Sequence, residues 1–170
     1  MPDNSSRGLL VAILIVVGLN LAATLVQTGL LLRSTSGIPA TATEAGRTLP
    51  GKYTDAALAK IADRVVVPYN KQDIDALYAA FDEIAKNQIP RDKFDAQLAQ
   101  LSTLVGKVES SSFVGSQKQQ SQGRLDMYQL NYVVRLSGGS LPTGTMTITI
   151  VDRESGPGIV GFFINGKTQQ

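Results

Sequence analysis

Cysteine, histidine and tryptophan are absent from this chain of 170 residues. Without cysteine the chain forms no disulfide and offers no thiolate to a metal ion or a substrate. Without histidine it lacks the side chain that most often acts as a general base near neutral pH, which is also the commonest metal ligand. We therefore expect no cofactor, no metal site and no catalytic residue, and we predict that the protein is not an enzyme.

The chain also has little net charge. Its 16 Lys and Arg and 14 Asp and Glu leave a formal charge of +2 at pH 7. Proteins that bind nucleic acid cluster their basic side chains on one face, whereas the basic residues here are mixed with acidic ones. The composition therefore predicts no nucleic-acid partner.

One short segment matches the spacing of a dinucleotide fingerprint. Residues 156–161 read Gly-Pro-Gly-Ile-Val-Gly. The fingerprint needs a strand before it, a helix after it and an acidic residue further on, but here a strand pattern follows and the chain soon ends. We interpret the segment as a hairpin turn.

A long uncharged run near the N-terminus is the strongest signal in the sequence. It covers residues 8–32 between Arg7 and Arg33. A helix of this length reaches about 37 Å, enough to cross a hydrocarbon core of about 30 Å, and the run is longer than the apolar region of a cleaved signal peptide. It therefore predicts an uncleaved transmembrane helix. The resulting segments are a short tail at 1–7, an anchor at 8–33, a flexible linker at 34–51 and a folded domain at 52–170.

Two features of the sequence around the anchor predict opposite membrane orientations. Arg33, Arg47 and Lys52 follow it, and the positive-inside rule would then place the C-terminal domain in the cytoplasm. The rule weakens when a long domain follows, and the linker has the Ser, Thr, Gly, Pro and Ala composition of an exported tether. We predict a single-pass protein of the inner (cytoplasmic) membrane with a periplasmic C-terminal domain.

Four polar side chains interrupt the predicted anchor at the spacing i, i+4, i+7 and i+8, which places them on one helical face. They are Asn20, Thr24, Gln27 and Thr28. Lipid offers an amide no hydrogen-bond partner, and membrane helices find one across a helix interface. This polar stripe predicts contact with another membrane protein or with a second copy of the chain. Alternatively, a long anchor simply tolerates the four residues.

The rest of the chain changes from helical to strand periodicity at Gly106. Before it are three helical patterns: Thr54 and Asp73 can cap the first two, and Pro90 suits the first turn of the third. After it, alternating patterns predict four strands at about 107–115, 126–136, 145–151 and 159–165, with a polar loop at 116–123. The predicted fold is α+β, with three helices packed on a curved antiparallel four-stranded sheet.

Three segments of this domain carry a family resemblance. They are Asp-Ile-Asp-Ala-Leu-Tyr-Ala-Ala-Phe at 73–81, Ile-Pro-Arg-Asp-Lys-Phe at 89–94, and the closing Gly-Ile-Val-Gly-Phe-Phe-Ile at 158–164. In this order they resemble the nuclear-transport-factor-2-like superfamily of cystatin-like α+β cones, over about residues 53–166, and in particular its small membrane-anchored members of unknown function. The resemblance implies a curved sheet that encloses a cavity against helices. It implies no single activity, because the superfamily includes isomerases, dehydratases, transport adaptors and assembly subunits of secretion machines.

A candidate pocket follows from the expected pairing of the second and third strands. If their hairpin turns about Ser140, Tyr128 faces Asp152 and Asp126 faces Glu154. Carboxylates beside a phenol at the mouth of an apolar cone can serve as a base and a hydrogen-bond donor. The candidate pocket consists of Tyr78, Asp126, Tyr128, Tyr132 and Asp152.

These observations predict a non-enzymatic, membrane-anchored accessory or assembly subunit of a bacterial-type envelope complex. It would act through protein–protein contacts of its anchor helix and its soluble domain. Two alternatives stay open: a tethered module that binds a small apolar or lipid-like ligand in the cone, and an isomerase-like enzyme. A cavity lined by Tyr78, Tyr128 and Tyr132 would favour the alternatives, whereas a cone filled with side chains would favour the subunit.

Overall fold

The computed structural model describes residues 12–13, 49–122 and 125–167. Of the predicted anchor at 8–33 it includes only Ala12–Ile13 (β1), a two-residue strand where we predicted helix. The rest of the anchor, the polar stripe at Asn20, Thr24, Gln27 and Thr28, and the linker up to residue 48 lie outside the described residues. Within the described residues, no helix is both long enough and apolar enough to cross a membrane.

Helices occupy the first half of the described domain. They are α1 (Asp55–Lys71), α2 (Ile74–Ala79), α3 (Glu83–Lys86) and α4 (Arg91–Val105). The predicted caps are confirmed, because the side chain of Thr54 accepts a hydrogen bond from the Ala57 N–H and that of Asp73 accepts one from the Ala76 N–H. Pro90 stands at the start of α4.

The single turn α3 was not predicted. We expected the second helix to continue to Phe81, but α2 ends at Ala79 because the chain makes strand contacts there. Phe81 forms a parallel bridge with Ile159, and the Asp82 N–H donates to the Ile159 carbonyl at 2.7 Å. The Asp82 side chain then caps the new turn by accepting from the Ile84 N–H.

The second half is an antiparallel sheet. Its strands are β2 (Gly106–Gln122), β3 (Leu125–Gly138), β4 (Thr143–Val151) and β5 (Gly158–Lys167), in the order β1-β5-β4-β3-β2. The four predicted strands and the α+β class are confirmed. β1 adds a short pairing of Ala12 with Asn165 and of Ile13 with Ile164.

The predicted loop at 116–123 is wrong, because β2 continues to Gln122 and pairs with β3. This half of β2 is polar, and cross-strand polar contacts take the place of apolar alternation. The Gln119 amide donates to the side-chain oxygen of Gln129 at 2.9 Å, and Lys118 pairs with Asp126. Periodicity of apolar residues could not reveal a strand held in this way.

Helix α4 passes directly into β2 at Gly106. The φ angle of Gly106 is 71°, in the left-handed region that glycine tolerates. A Cβ atom there would overlap the carbonyl oxygen of Ser137 on the paired strand. The switch from helix to strand thus needs glycine for both its backbone angle and its close contact, and the predicted end of the helix at Gly106 is confirmed.

The helices cover one face of the sheet, and the core lies between the two layers. The even-numbered residues of β3 and β4 point into it, as their alternation predicted. The buried strand residues include Tyr128, Leu130, Tyr132, Val134, Met146, Ile148 and Ile150, which meet Leu58, Ile61, Val65, Phe94 and Leu101 in one cluster. On the other face Thr147 is also buried, at 2% exposed, and its hydroxyl donates to Asn131.

Adjacent positions on β3 test this assignment of faces. We expect Val134→Asp to lower the free energy of unfolding by about 3–5 kcal/mol, because Val134 is fully buried and a carboxylate there would lack a partner. Val133→Asp should cost about 1 kcal/mol or less, since Val133 is 50% exposed. Urea unfolding of a chain of residues 49–170 measures both. Equal losses would contradict the assigned faces.

Candidate functional site

The predicted carboxylates Asp126 and Asp152 lie opposite each other at one end of the sheet. Tyr128 pairs with Ile150, and the Asp152 N–H donates to the Asp126 carbonyl at 2.8 Å. The predicted strand pairing is therefore wrong by two residues, since it set Tyr128 opposite Asp152 and Asp126 opposite Glu154. A shift of two residues leaves each side chain on the predicted face of the sheet.

The register differs because the β3–β4 turn is centred on Gly139 and not on Ser140. The pairing of Arg135 with Thr143 fixes this centre. A Cβ atom at Gly139 would overlap the backbone of Val105 at the end of α4. A contact between the turn and a helix, which no strand pattern contains, thus sets the register.

Asp152 accepts two short contacts on the same oxygen. The Tyr53 hydroxyl donates to its Oδ1 at 2.7 Å, and Lys52 Nζ lies 2.6 Å from the same atom. Burial, and then the hydrogen bond to Asp152, raise the pKa of Tyr53 above its ordinary range, so the phenol stays a protonated donor. The phenol beside Asp152 is therefore that of Tyr53. The centroid of the Tyr128 ring lies 6.3 Å from that of the Tyr53 ring.

Tyr53 was not among the predicted pocket residues, because it stands at the boundary between linker and domain. A signal was present: Tyr53 directly precedes the cap residue Thr54, and Leu58 stands four positions after that cap. An apolar pair at these two positions is the hydrophobic staple, which fixes the direction from which the chain enters a helix. Tyr53 and Leu58 are both buried.

Asp126 meets solvent at the end of the sheet, next to the buried ring of Tyr128. The Asp126 carboxylate accepts from Lys118 Nζ at 2.9 Å, and both side chains are nearly half exposed. Ion pairs this exposed contribute little to stability. The Tyr128 ring is buried, and its pKa is raised by burial first and by Asp126 second.

The other two predicted pocket residues have separate surroundings. Tyr132 lies inside the core, where its hydroxyl donates to the Leu58 carbonyl at 3.0 Å and burial raises its pKa. Tyr78 stacks edge-on against Phe94 and lies beneath the guanidinium of Arg91. None of the described contacts joins Tyr78 to the other four residues.

Two surface clefts lie along α1, and neither is lined by a predicted pocket residue. A wide groove of about 630 Å³ follows α1 and α2 past Val67, Pro68, Lys71 and Ala76. A narrower cleft of about 330 Å³ separates the start of α1 from the connection between β4 and β5. Its lining residues are Lys52, Tyr53, Ala57, Lys60, Ile61, Arg64, Arg153, Glu154, Gly156 and Pro157.

An ion pair holds the wall of the narrower cleft. Nε and Nη2 of Arg153 donate to the two carboxylate oxygens of Asp82, each at 2.8 Å. This bidentate contact is the main cause of the lowered pKa of Asp82. The Oδ2 atom of Asp82 also lies so close to Gly158 that a Cβ atom there would overlap it. Helix α3 is thereby fixed to the β4–β5 connection.

Within the described residues, no three histidine, cysteine, aspartate or glutamate side chains are grouped so that they could hold a metal ion. In comparisons with known proteins, no family model matches the chain and no curated protein is significantly similar to it. The resemblance to the nuclear-transport-factor-2-like superfamily therefore stays a prediction.

The pair of Asp82 and Arg153 predicts a specific pH dependence of stability. The folded-state pKa of Asp82 is lowered, so its contribution is complete above the unfolded-state value of about 3.9 and is lost as the pH falls through the folded-state pKa. Asp82→Asn keeps a capping oxygen for α3 but loses the charge. We expect it to cost about 1–3 kcal/mol of unfolding free energy at pH 7, with the difference from wild type shrinking toward pH 2.

The matched control is Asp75→Asn. Asp75 also accepts from an arginine, Arg91, but its side chain is 87% exposed, so the change should cost less than about 0.5 kcal/mol. Urea unfolding at several pH values measures both variants. A loss for Asp82→Asn that stays constant from pH 7 to pH 2 would show that its charge is not the cause.

Proposed function

We propose that the protein is a non-enzymatic accessory or assembly subunit of a bacterial-type envelope membrane complex. A single N-terminal helix holds it in the inner membrane; residues 12–13 then belong to that helix and do not pair with β5. The periplasmic domain acts through protein–protein contacts. The observation that carries this proposal is the filled interior between the helices and the sheet.

Side chains from both layers occupy the space in which a cone-shaped domain would hold a ligand. Leu58, Leu77, Phe94 and Leu101 enter it from the helices, and Leu130, Tyr132, Ile148 and Phe162 from the strands, all fully buried. The ring of Phe81 joins the layers, since its centroid lies 5.3 Å from that of Phe94 and 6.2 Å from that of Phe162. A packed interior favours a subunit over a ligand-binding cone.

The polar groups of the candidate pocket have partners within the protein. Tyr132 donates to a helix carbonyl, while Asp152 accepts from Tyr53 and contacts Lys52. A general base needs an acceptor that can reach the proton of a substrate. An isomerase-like reaction here would first have to break these contacts, which favours the non-enzymatic proposal.

The contact with a membrane partner is proposed for the polar stripe of the anchor. Asn20, Thr24, Gln27 and Thr28 fall within a face about 100° wide, and lipid satisfies none of their hydrogen-bonding groups. Each interhelical hydrogen bond contributes about 0.6 kcal/mol, up to about 2 kcal/mol. The stripe can therefore specify a partner helix without making the association irreversible.

Replacing the two amides tests this part of the proposal. We expect the double change Asn20→Leu and Gln27→Leu to weaken association by about 1–3 kcal/mol, because two interhelical hydrogen bonds are lost while insertion improves. Val26→Leu, on the opposite face, is the control and should change nothing. Co-purification of the full-length chain with its membrane partner, together with a membrane two-hybrid assay for self-association, measures the effect. If the double variant associates as strongly as the wild type, the soluble domain and not the polar stripe recognises the partner.

The orientation has its own test. A reporter enzyme that is active only after export, fused after Gln170, should be active, because a long domain weakens the positive-inside bias of Arg33, Arg47 and Lys52. A reporter that is active only in the cytoplasm is the matched control and should stay inactive. Activity of the second reporter alone would reverse the proposed orientation.

A further inference from the structure

The narrower cleft beside α1 has an apolar floor and a charged rim. Its floor includes the buried ring of Tyr53 and the buried side chain of Ile61, and Ala57 and Pro157 lie at its sides. Five ionisable side chains with full charges surround it, of which only Glu154 is acidic. The cleft is distinct from the candidate pocket, because none of the five predicted pocket residues lines it.

Two of the four cations at the rim are neutralised by carboxylates that lie outside the cleft. Lys52 pairs with Asp152, and Arg153 pairs with Asp82. The other two cations, Lys60 and Arg64, outnumber the one acidic side chain of the rim, Glu154, so the rim carries a net positive charge.

Arg64 is held in place by two neutral carbonyl acceptors, which do not balance its charge. Its Nη1 donates to the Pro157 carbonyl at 2.9 Å, and its Nη2 donates to the Ala80 carbonyl at 3.3 Å. Both acceptors are neutral, and a guanidinium has five N–H groups, so three stay available to a ligand. The bonds hold the guanidinium at the cleft in advance, which lowers the entropic cost of binding an anion.

Lys60 lies one helical turn before Arg64 and lines the same cleft. In the part of the chain that the structure describes, no carboxylate pairs with it. Two cations at i and i+4 on a helix repel each other, and an anion bound between them would relieve that repulsion. The arrangement of the two side chains therefore favours an anionic ligand.

We propose that this cleft binds the phosphate group of an amphiphilic ligand. Arg64 and Lys60 contact the phosphate, and the apolar part of the ligand lies on Tyr53 and Ile61. Arginine suits this role because its planar N–H groups match phosphate oxygens two at a time. The volume of about 330 Å³ is sufficient for a phosphate with a short apolar chain.

Such a phosphate could come from an anionic lipid or from a soluble phosphate ester. The cleft begins at Lys52, directly after the predicted linker at 34–51. A flexible chain of that length spans about 25 Å on average, so the predicted anchor would keep the cleft near the lipid headgroups. Phosphate binding itself does not depend on the anchor or on the proposed subunit function.

The test uses the full-length chain in an uncharged maltoside detergent. Three probes are titrated by calorimetry: dihexanoyl phosphatidic acid, glycerol 3-phosphate, and mixed micelles that contain long-chain phosphatidylglycerol. Phosphatidylcholine micelles serve as the uncharged reference. Binding of dihexanoyl phosphatidic acid without binding to the phosphatidylglycerol micelles would identify a soluble phosphate ester as the source, whereas binding of both would identify a lipid headgroup. Glycerol 3-phosphate has no apolar chain, and its binding as tightly as dihexanoyl phosphatidic acid would overturn the proposed contact with Tyr53 and Ile61.

Variants decide whether binding occurs in this cleft. Lys60→Gln and Glu154→Gln remove no described hydrogen bond. We expect the first to weaken binding of dihexanoyl phosphatidic acid by about 5-fold or more and the second to tighten it by about 3-fold, because they change the local charge in opposite directions. Arg64→Lys keeps the charge but loses the guanidinium, and it should weaken binding by about 10-fold.

Lys93→Gln is the matched control, because Lys93 is an exposed lysine on α4 that does not line the cleft. It should leave the affinity unchanged. Failure of all three probes to bind would overturn the proposal. An equal loss of affinity in Lys93→Gln and Lys60→Gln would also overturn it, since the attraction would then be to the whole protein.

Discussion

The helices bury one face of the β3–β4 pair, and the rest of the domain depends on this contact. The even-numbered residues of both strands lie in a single cluster with the apolar faces of α1 and α4. Even the polar end of Tyr132 takes part, because its hydroxyl donates to a carbonyl of α1. Burial of so many large side chains leaves the sheet only one register relative to the helices, since a slip of one residue would turn polar positions inward.

The positions of functional groups follow from that packing. The turn of the β3–β4 hairpin lies against the end of α4, and this contact sets Asp126 opposite Asp152. The segment that enters α1 then brings Tyr53 and Lys52 onto Asp152. Asp152, one of the carboxylates that resembled catalytic equipment in the sequence, is thus held by Tyr53 and Lys52 at the joint between the first helix and the sheet.

Two arginines contact the region around the β4–β5 connection, and they reach different kinds of acceptor. The carboxylate of Asp82 neutralises Arg153 and fixes α3 to the connection before β5. Arg64 contacts the same connection through the neutral carbonyl of Pro157. The charge of Arg153 is therefore balanced by a carboxylate, whereas the carbonyls that Arg64 reaches do not balance its charge, which in our proposal attracts the ligand.

The sequence by itself determined the α+β class, the caps at Thr54 and Asp73, the end of α4 at Gly106 and the buried faces of β3 and β4. These features depend on neighbouring residues, whose spacing records helix or strand periodicity directly. Only the tertiary structure decided the length of β2, the extra turn α3, the strand register and the phenol that meets Asp152. Each of these depends on contacts between residues far apart in the chain, such as Asp82 with Arg153 and Gly139 with Val105, and a local pattern carries no information about such distances.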